Sequence, residues 1–143
     1  PQAKVTDPLT AIIAAANALG AKRLGFITPY IPDVSKRMRH KLEEAGFEIV
    51  AFGSFEESDD RVVARITPTS ITAAIDKVTK NADCDAVVAA CTNLRCLGVI
   101  NEAEQRTGTP VISSNQALSW HMLRLADVTE PQHGFGKLFE LPL

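Results

Sequence analysis

The sequence is poor in cysteine, in aromatic residues and in charge of one sign, and it has no long apolar run. Of its 143 residues, 15 are Lys or Arg and 17 are Asp or Glu, so the formal net charge is −2. Like charges form no long block, which argues against the basic surface of a nucleic-acid-binding protein. The longest apolar stretch, around residues 11–16, is too short to cross a bilayer. Nothing at the start resembles a signal peptide. We therefore expect neither nucleic acid nor a membrane as a partner.

Only three cysteines are present, Cys84, Cys91 and Cys96. Their number is odd and they lack a CxxC spacing, so we expect neither a disulfide framework nor a structural zinc site. The GxGxxG and GxxxxGK[ST] loops of nucleotide-binding proteins are missing as well, and no histidines stand at metal-ligand spacing. These absences predict a reduced, cytoplasmic protein that holds no metal and no nucleotide.

Helical and strand-like apolar patterns alternate along the chain. Asp7-Pro8 and Thr67-Pro68 are typical helix starts, and Gly20 and Gly46 follow apolar stripes at helical spacing. Between the stripes lie four short apolar segments that we predict as strands, at residues 23–28, 47–52, 85–90 and 110–113. Apolar strands that alternate with helices are typical of a parallel sheet covered on both faces. The expected fold class is α/β, with a four-stranded parallel sheet and helices on both faces.

Some finer expectations follow from the same patterns. The second helix should bury the stripe that it shows at helical spacing, namely Val34, Met38, Leu42 and Ala45. A helix carrying Leu94 and Leu97 should follow Cys91 directly. The acidic run at residues 56–60 should be a solvated loop, and the tail from Val128 should be irregular.

Ligands of parallel α/β sheets bind beyond the carboxyl ends of the strands, where helix N-termini also point. The residues predicted there carry hydroxyl, amide and thiol groups but no cation; they include Tyr30, Cys91, Thr92, Asn93 and Ser114. An anion would therefore be held by backbone N–H groups and neutral side chains. For any single Thr, Ser or Asn, a simple helix-capping role stays open. Asp60 can reach the same edge, because its loop leaves the second strand there.

Cys91 is the candidate nucleophile or acid–base residue. It ends an apolar strand, and a helix beginning after it would surround the sulfur with N–H donors that favour the thiolate. The alternative is an inert cysteine that packs as a small apolar side chain. Cys84 lies before the start of the same strand, at the opposite edge of the sheet. Cys96 is expected five positions into the following helix and rotated away from Cys91. Neither is expected to work with Cys91.

Several segments together resemble the aspartate/glutamate racemase superfamily. In chain order they are Thr28-Pro29-Tyr30, residues 63–66, Cys91-Thr92-Asn93-Leu94-Arg95, residues 110–126 and residues 134–138. Within the superfamily, the sequence is most similar to maleate cis-trans isomerases and the related ectoine-utilisation proteins. The resemblance extends from about Arg23 to Leu138.

The resemblance implies a cofactor-independent isomerase or racemase with two pseudo-symmetric α/β domains, each supplying one cysteine to a small dicarboxylate substrate. The reaction would be cis-trans isomerisation of maleate to fumarate or racemisation of an amino acid. Carried onto this sequence, Cys91 is the catalytic cysteine of the second domain and Tyr30 binds a substrate carboxylate. Thr92 and Asn93 match the backbone N–H donors of the anion site. Asp60 and, from its place at the end of the fourth strand, Ser114 complete the expected substrate-binding set. Asp60 stands where the isomerases have an asparagine, which adds a negative charge where an anion should bind.

The same resemblance predicts the domain organisation. Residues 1–128 would form the second domain, and residues 129–143 a tail that packs toward a first domain outside this sequence. The start at Pro1, without a Met, agrees with that prediction. Alone, the chain would lack the first cysteine and be inactive; the whole protein is expected to be a homo-oligomer, a dimer.

Two alternatives stay open. One is an arylmalonate-type decarboxylase, which uses a single cysteine at the corresponding place; such enzymes have glycines after it, whereas this chain has Thr92 and Asn93. The other is a non-catalytic, flavodoxin-like binding module in which Cys91 is inert.

Overall fold

The computed structural model, which describes residues 3–141, is built around a sheet of four parallel strands. They are β1 (Arg23–Thr28), β2 (Glu48–Ser54), β3 (Ala86–Ala89) and β4 (Val111–Ser113), in the spatial order β2-β1-β3-β4. Each strand overlaps the segment predicted for it, and helices cover both faces. The predicted fold class is therefore confirmed.

Seven α-helices occur between residues 3 and 141. They are α1 (Pro8–Ala18), α2 (Pro32–Glu44), α3 (Asp60–Val63), α4 (Pro68–Asn81), α5 (Ile100–Thr107), α6 (Ser114–Leu125) and α7 (Lys137–Glu140). The two predicted helix starts are confirmed: the Asp7 carboxylate accepts the first backbone N–H groups of α1, and the Thr67 hydroxyl accepts the N–H of Ser70 in α4. Within the described residues, no helix has the length and apolar character needed to cross a membrane.

The two faces of the sheet bury separate hydrophobic clusters. Successive strand residues point to opposite faces, so Val88 of β3 packs with α1 and α6 while Val87 packs with α4 and α5. Cys91 belongs to the second cluster. Gly25 lets α4 approach this face closely, because a Cβ there would lie 2.3 Å from Cγ1 of Val78.

The strand order creates a crevice at the carboxyl ends of β1 and β3. The chain leaves β1 to form β2 on one side and later returns to form β3 on the other, so the two connecting loops depart in opposite directions. Ligands of open α/β sheets bind at such a switch point. Ile27 of β1 pairs with Ala89 of β3. Tyr30 and Cys91, which follow these residues closely in sequence, therefore emerge side by side at the crevice.

The predicted helix directly after Cys91 is wrong. Residues 92–96 form a turn followed by an irregular loop, a 3₁₀ turn occupies Leu97–Val99, and α5 begins only at Ile100. Cys96 consequently precedes the helical segment instead of lying five positions inside it. The Leu94 N–H donates to the Cys91 carbonyl at 3.2 Å, but the Cys96 N–H donates to the Leu94 carbonyl at 2.9 Å, so this single turn does not continue as a helix.

Other local predictions are also corrected. Val34 is 39% exposed, whereas its neighbour Ser35 is 2% exposed, because Ser35 makes a buried hydrogen bond to Thr28. The acidic run ends in a short helix, α3, which the Asp59 side chain caps. The tail is not irregular throughout, since α7 forms there and Leu138 is buried in the first cluster.

The predicted packing of the tail, residues 129–143, toward a first domain stays a prediction. Pro1 and the last two tail residues lie outside the described residues.

Candidate active site

Cys91 lies at the centre of the crevice and has an unusual backbone. Its side chain is 5% exposed, and its φ of +147° falls in a region that residues with a Cβ rarely adopt. The backbone N–H donates to the Ser114 hydroxyl at 3.0 Å. Strained residues of this kind persist only where several contacts hold them, and they are concentrated at functional sites.

The sulfur of Cys91 receives a hydrogen bond from the turn that follows it. The backbone N–H of Asn93 donates to Sγ at 3.3 Å. One turn amide thus replaces the several helix N–H groups predicted from the sequence. Because it points at the sulfur, this amide would stabilise negative charge there.

Tyr30 is the second functional group of the crevice. Burial, followed by interaction with the neighbouring Cys91 thiol and the Asp60 charge, raises the pKa of Tyr30 well above its usual range. The hydroxyl therefore stays protonated at neutral pH and is available as a hydrogen-bond donor. The ring packs against the same cluster as Cys91. The structure thus brings together the two residues for which the sequence predicts the chemistry.

A group of buried and partly buried hydroxyls holds the main chain of Tyr30. Its carbonyl accepts from Ser54 Oγ at 2.5 Å and from Ser35 Oγ at 3.3 Å. Thr28 Oγ1 lies 2.6 Å from Ser35 Oγ. Sequence reasoning missed Ser35, because it assigned the neighbouring Val34 to the buried face. The available sign of its role was its place in the sequence: Ser35 is a hydroxyl residue in the first turns of the helix that follows β1.

Two asparagine side chains hold the Cys91 turn from opposite sides. Asn93 Nδ2 donates to the Asp60 carbonyl at 2.6 Å, and Asn115 Nδ2 donates to the Thr92 carbonyl at 2.8 Å. Asp60 therefore does lie at the crevice, where its main chain contacts Asn93. The contribution of Asn115 was not predicted, since nothing in the sequence pairs it with Thr92.

The remaining candidate, Ser114, lies beneath Cys91. It is 2% exposed and its hydroxyl faces the backbone of Cys91. The substrate-binding roles assigned to Tyr30, Thr92, Asn93, Asp60 and Ser114 stay predictions.

The other two cysteines are neutral thiols at neutral pH. Burial, with a smaller contribution from charge on Cys91, raises the pKa of Cys96 to about 12. Burial also raises the pKa of Cys84, which precedes β3 at the far end of the sheet from Cys91. Cys91 is thus the thiol located at the crevice.

The thiol and the protonated phenol thus lie together at the switch point of a parallel sheet, where α/β proteins bind their ligands. Residues 4–139 match the family described as arylmalonate decarboxylase, and the chain belongs to this family.

Two relatives of this chain have different names. The chain is 32% identical over 137 residues to an arylmalonate decarboxylase of Bordetella bronchiseptica, covering 94% of this chain and 57% of the relative. It is 28% identical over 137 residues to a maleate isomerase of Nocardia farcinica, covering 96% of this chain and 55% of the relative. The chain therefore spans about half the length of the relatives it matches.

Solved structures agree with the sequence relatives. The maleate cis-trans isomerase of Nocardia farcinica bound to TRIS aligns with a TM-score of 0.92 at 28% identity, over 97% of this chain and 56% of that chain. An arylmalonate decarboxylase structure aligns with a TM-score of 0.84 at 30% identity, over 92% of this chain and 59% of that chain. A cysteine-to-serine mutant of the Nocardia isomerase carries a covalently bound succinylcysteine intermediate; it aligns with a TM-score of 0.84 at 26% identity, over 93% and 54%. The resemblance drawn from the sequence is thereby confirmed.

Proposed function

We propose that Cys91 is one of two catalytic cysteines in a cofactor-independent isomerase of small dicarboxylates, with maleate-to-fumarate conversion as the representative reaction. The observation that carries the proposal is the geometry of Cys91: a strained residue whose sulfur accepts the Asn93 N–H and lies beside the Tyr30 hydroxyl. The similarity to maleate isomerases supports it, as does the succinylcysteine found in one of them.

The substrate would be held by neutral donors. The protonated Tyr30 hydroxyl would donate to one carboxylate, and the exposed Thr92 in the Cys91 turn would contact the other. Neutral donors in a partly enclosed site stabilise charge that develops on a carboxylate during reaction. The Asp60 carboxylate, at the edge of the crevice, would repel a substrate carboxylate placed next to it. The site would therefore accept dicarboxylates whose two carboxylates bind away from Asp60.

The chemistry would proceed by addition and elimination. A cysteine thiolate of the other domain attacks one alkene carbon; the C–S bond forms as the π electrons move onto the adjacent carbon and its carboxylate. The Cys91 thiol gives a proton to that carbon. After rotation about the new single bond, the Cys91 thiolate takes a proton back and the C–S bond breaks. The trans alkene and both cysteines are regenerated, so no oxidant or reductant is consumed.

An assay of the full-length protein tests this proposal. Maleate is supplied, and fumarate is followed by proton NMR; the two aspartate enantiomers are supplied in parallel. We expect fumarate to form. Interconversion of aspartate without fumarate would assign the protein to racemisation instead.

Decarboxylation is the second candidate, and the family match and the 32% identity to an arylmalonate decarboxylase favour it. In that reaction the bond between the substrate carbon and one carboxylate breaks, carbon dioxide leaves, and the Cys91 thiol protonates the resulting carbanion. The Thr92 and Asn93 side chains stand where the resemblance places glycines in those enzymes, which leaves less space for an aryl ring. Carbon dioxide release from phenylmalonate, with no fumarate from maleate, would decide in its favour.

The Tyr30→Phe substitution tests the role of the phenol. Removing the hydroxyl should cost about 1–3 kcal/mol of transition-state stabilisation, which lowers kcat/KM of the full-length protein roughly five- to 150-fold. The ring remains, so its packing and the thermal unfolding midpoint should change little. Steady-state kinetics and a thermal melt measure both quantities. An unchanged kcat/KM would remove Tyr30 from the site.

A further inference from the structure

We infer that Ser114 is a positioning residue that holds the main chain of Cys91, and not a ligand of the substrate. The inference rests on the proposed function of Cys91. The Ser114 hydroxyl is 3.0 Å from the Cys91 backbone nitrogen and accepts its N–H. With only 2% of its surface exposed, Ser114 lies below the turn and not in the opening of the crevice.

The position of Ser114 is fixed independently of Cys91. It begins α6 immediately after β4, and Ser113 of β4 pairs with Ala89 of β3. The start of α6 is closed by a capping box, in which the Ser113 hydroxyl accepts the Gln116 N–H at 3.2 Å and the Gln116 side chain accepts the Ser113 N–H at 3.1 Å. The backbone pairing of β4 with β3 therefore places the Ser114 oxygen at Cys91, whereas the Ser113 hydroxyl serves only the Gln116 N–H.

That contact has a specific consequence for the sulfur. The +147° φ of Cys91 is a conformation that the surrounding contacts must impose. The same conformation aims Sγ at the Asn93 N–H, 3.3 Å away. If the hydrogen bond to Ser114 is lost, the backbone can relax, and the sulfur moves away from both Asn93 and Tyr30. Ser114 thus acts on the reaction through Cys91.

The test compares Ser114→Ala with Ser113→Ala in the full-length protein. Both serines are 2% exposed and each accepts one backbone N–H, but Ser113 serves Gln116 and not Cys91. Both variants should lose similar stability. Ser114→Ala should lower kcat about ten- to hundred-fold with KM nearly unchanged, whereas Ser113→Ala should retain both values. A raised KM with normal kcat in Ser114→Ala would make Ser114 a substrate ligand, and equal kcat in the two variants would make its role purely structural.

Hydrogen exchange provides a second measurement that needs no activity. In the unsubstituted protein the Cys91 amide should be protected, in contrast with the amide of the exposed Thr92; Ser114→Ala should remove that protection and Ser113→Ala should keep it. A Cys91 amide that exchanges as fast as Thr92 would overturn the inference, even if Ser114→Ala did not fold. This measurement does not depend on turnover. A protected Cys91 amide in a protein with no activity on maleate or phenylmalonate would therefore reject the proposed function but not the contact between Ser114 and Cys91.

Discussion

The Cys91→Ser variant of the full-length protein is expected to lose turnover by about a thousand-fold or more. Serine has nearly the same shape, so it should keep the backbone contact to Ser114 and the fold. Its hydroxyl, however, is far less acidic and less nucleophilic than a thiol, and it cannot exchange protons with a substrate carbon in the same way. Steady-state turnover on the active dicarboxylate, with circular dichroism to verify folding, measures the effect.

Cys84→Ser is the matched control for this substitution. Cys84 lies at the other end of the sheet and contributes nothing to the crevice, so its replacement should leave kcat and KM close to their original values. If Cys91→Ser kept most of its activity, or if the two variants lost equal activity, Cys91 would not be the catalytic cysteine.

The Gly136→Ala substitution is expected to have the largest effect on stability, lowering the free energy of unfolding by roughly 2–5 kcal/mol. Gly136 has a φ of +83°, and a Cβ there would lie 2.6 Å from Ile100 Cγ2 and 2.9 Å from Gln116 Nε2. Alanine would therefore add backbone strain and also push apart α5 and the tail. Urea unfolding followed by circular dichroism measures the loss.

Gly134→Ala is the comparison at a glycine that also has a positive φ but lacks close neighbours. Gly134 has a similar φ of +91°, but a Cβ there would have no neighbour within 4 Å. It should cost only the backbone term, about 1–2 kcal/mol. Equal losses in the two variants would show that the close packing around Gly136 does not contribute to stability.

The strands and their order along the chain could be predicted because each one is a short apolar run between helical stripes. Helix starts at Asp7 and Thr67 were equally accessible, since a capping side chain followed by proline has one physical interpretation. The buried face of α2 was predicted correctly at Met38 and Leu42 but not at its ends, because Ser35 is buried in place of Val34 and Ala45 is exposed. Burial of Ser35 depends on a hydrogen bond to Thr28 of the preceding strand, and periodicity counts only apolar residues.

The location of the candidate site was predictable from the sequence, but its supporting contacts were not. Cys91 and Tyr30 could be placed at one edge because parallel strands end together. The backbone conformation of Cys91 could not be predicted, because it is imposed by Ser114, which lies 23 positions away in sequence. The link from Asn115 to Thr92 likewise depends on how the turn and α6 meet. Contacts of this kind exist only after the strands have paired.

The rates at which the three cysteines react with iodoacetamide at pH 7 test the central claim most directly. The full-length protein is labelled for increasing times, and each cysteine is quantified by peptide mass spectrometry. Cys91 is only 5% exposed, so exposure alone would favour the half-buried Cys84. We expect Cys91 to react fastest nonetheless, because the Asn93 N–H that points at its sulfur would stabilise the thiolate that attacks the reagent. A Cys91 that reacts no faster than Cys84 or Cys96 would contradict the claim and identify the chain as a binding module with an inert cysteine.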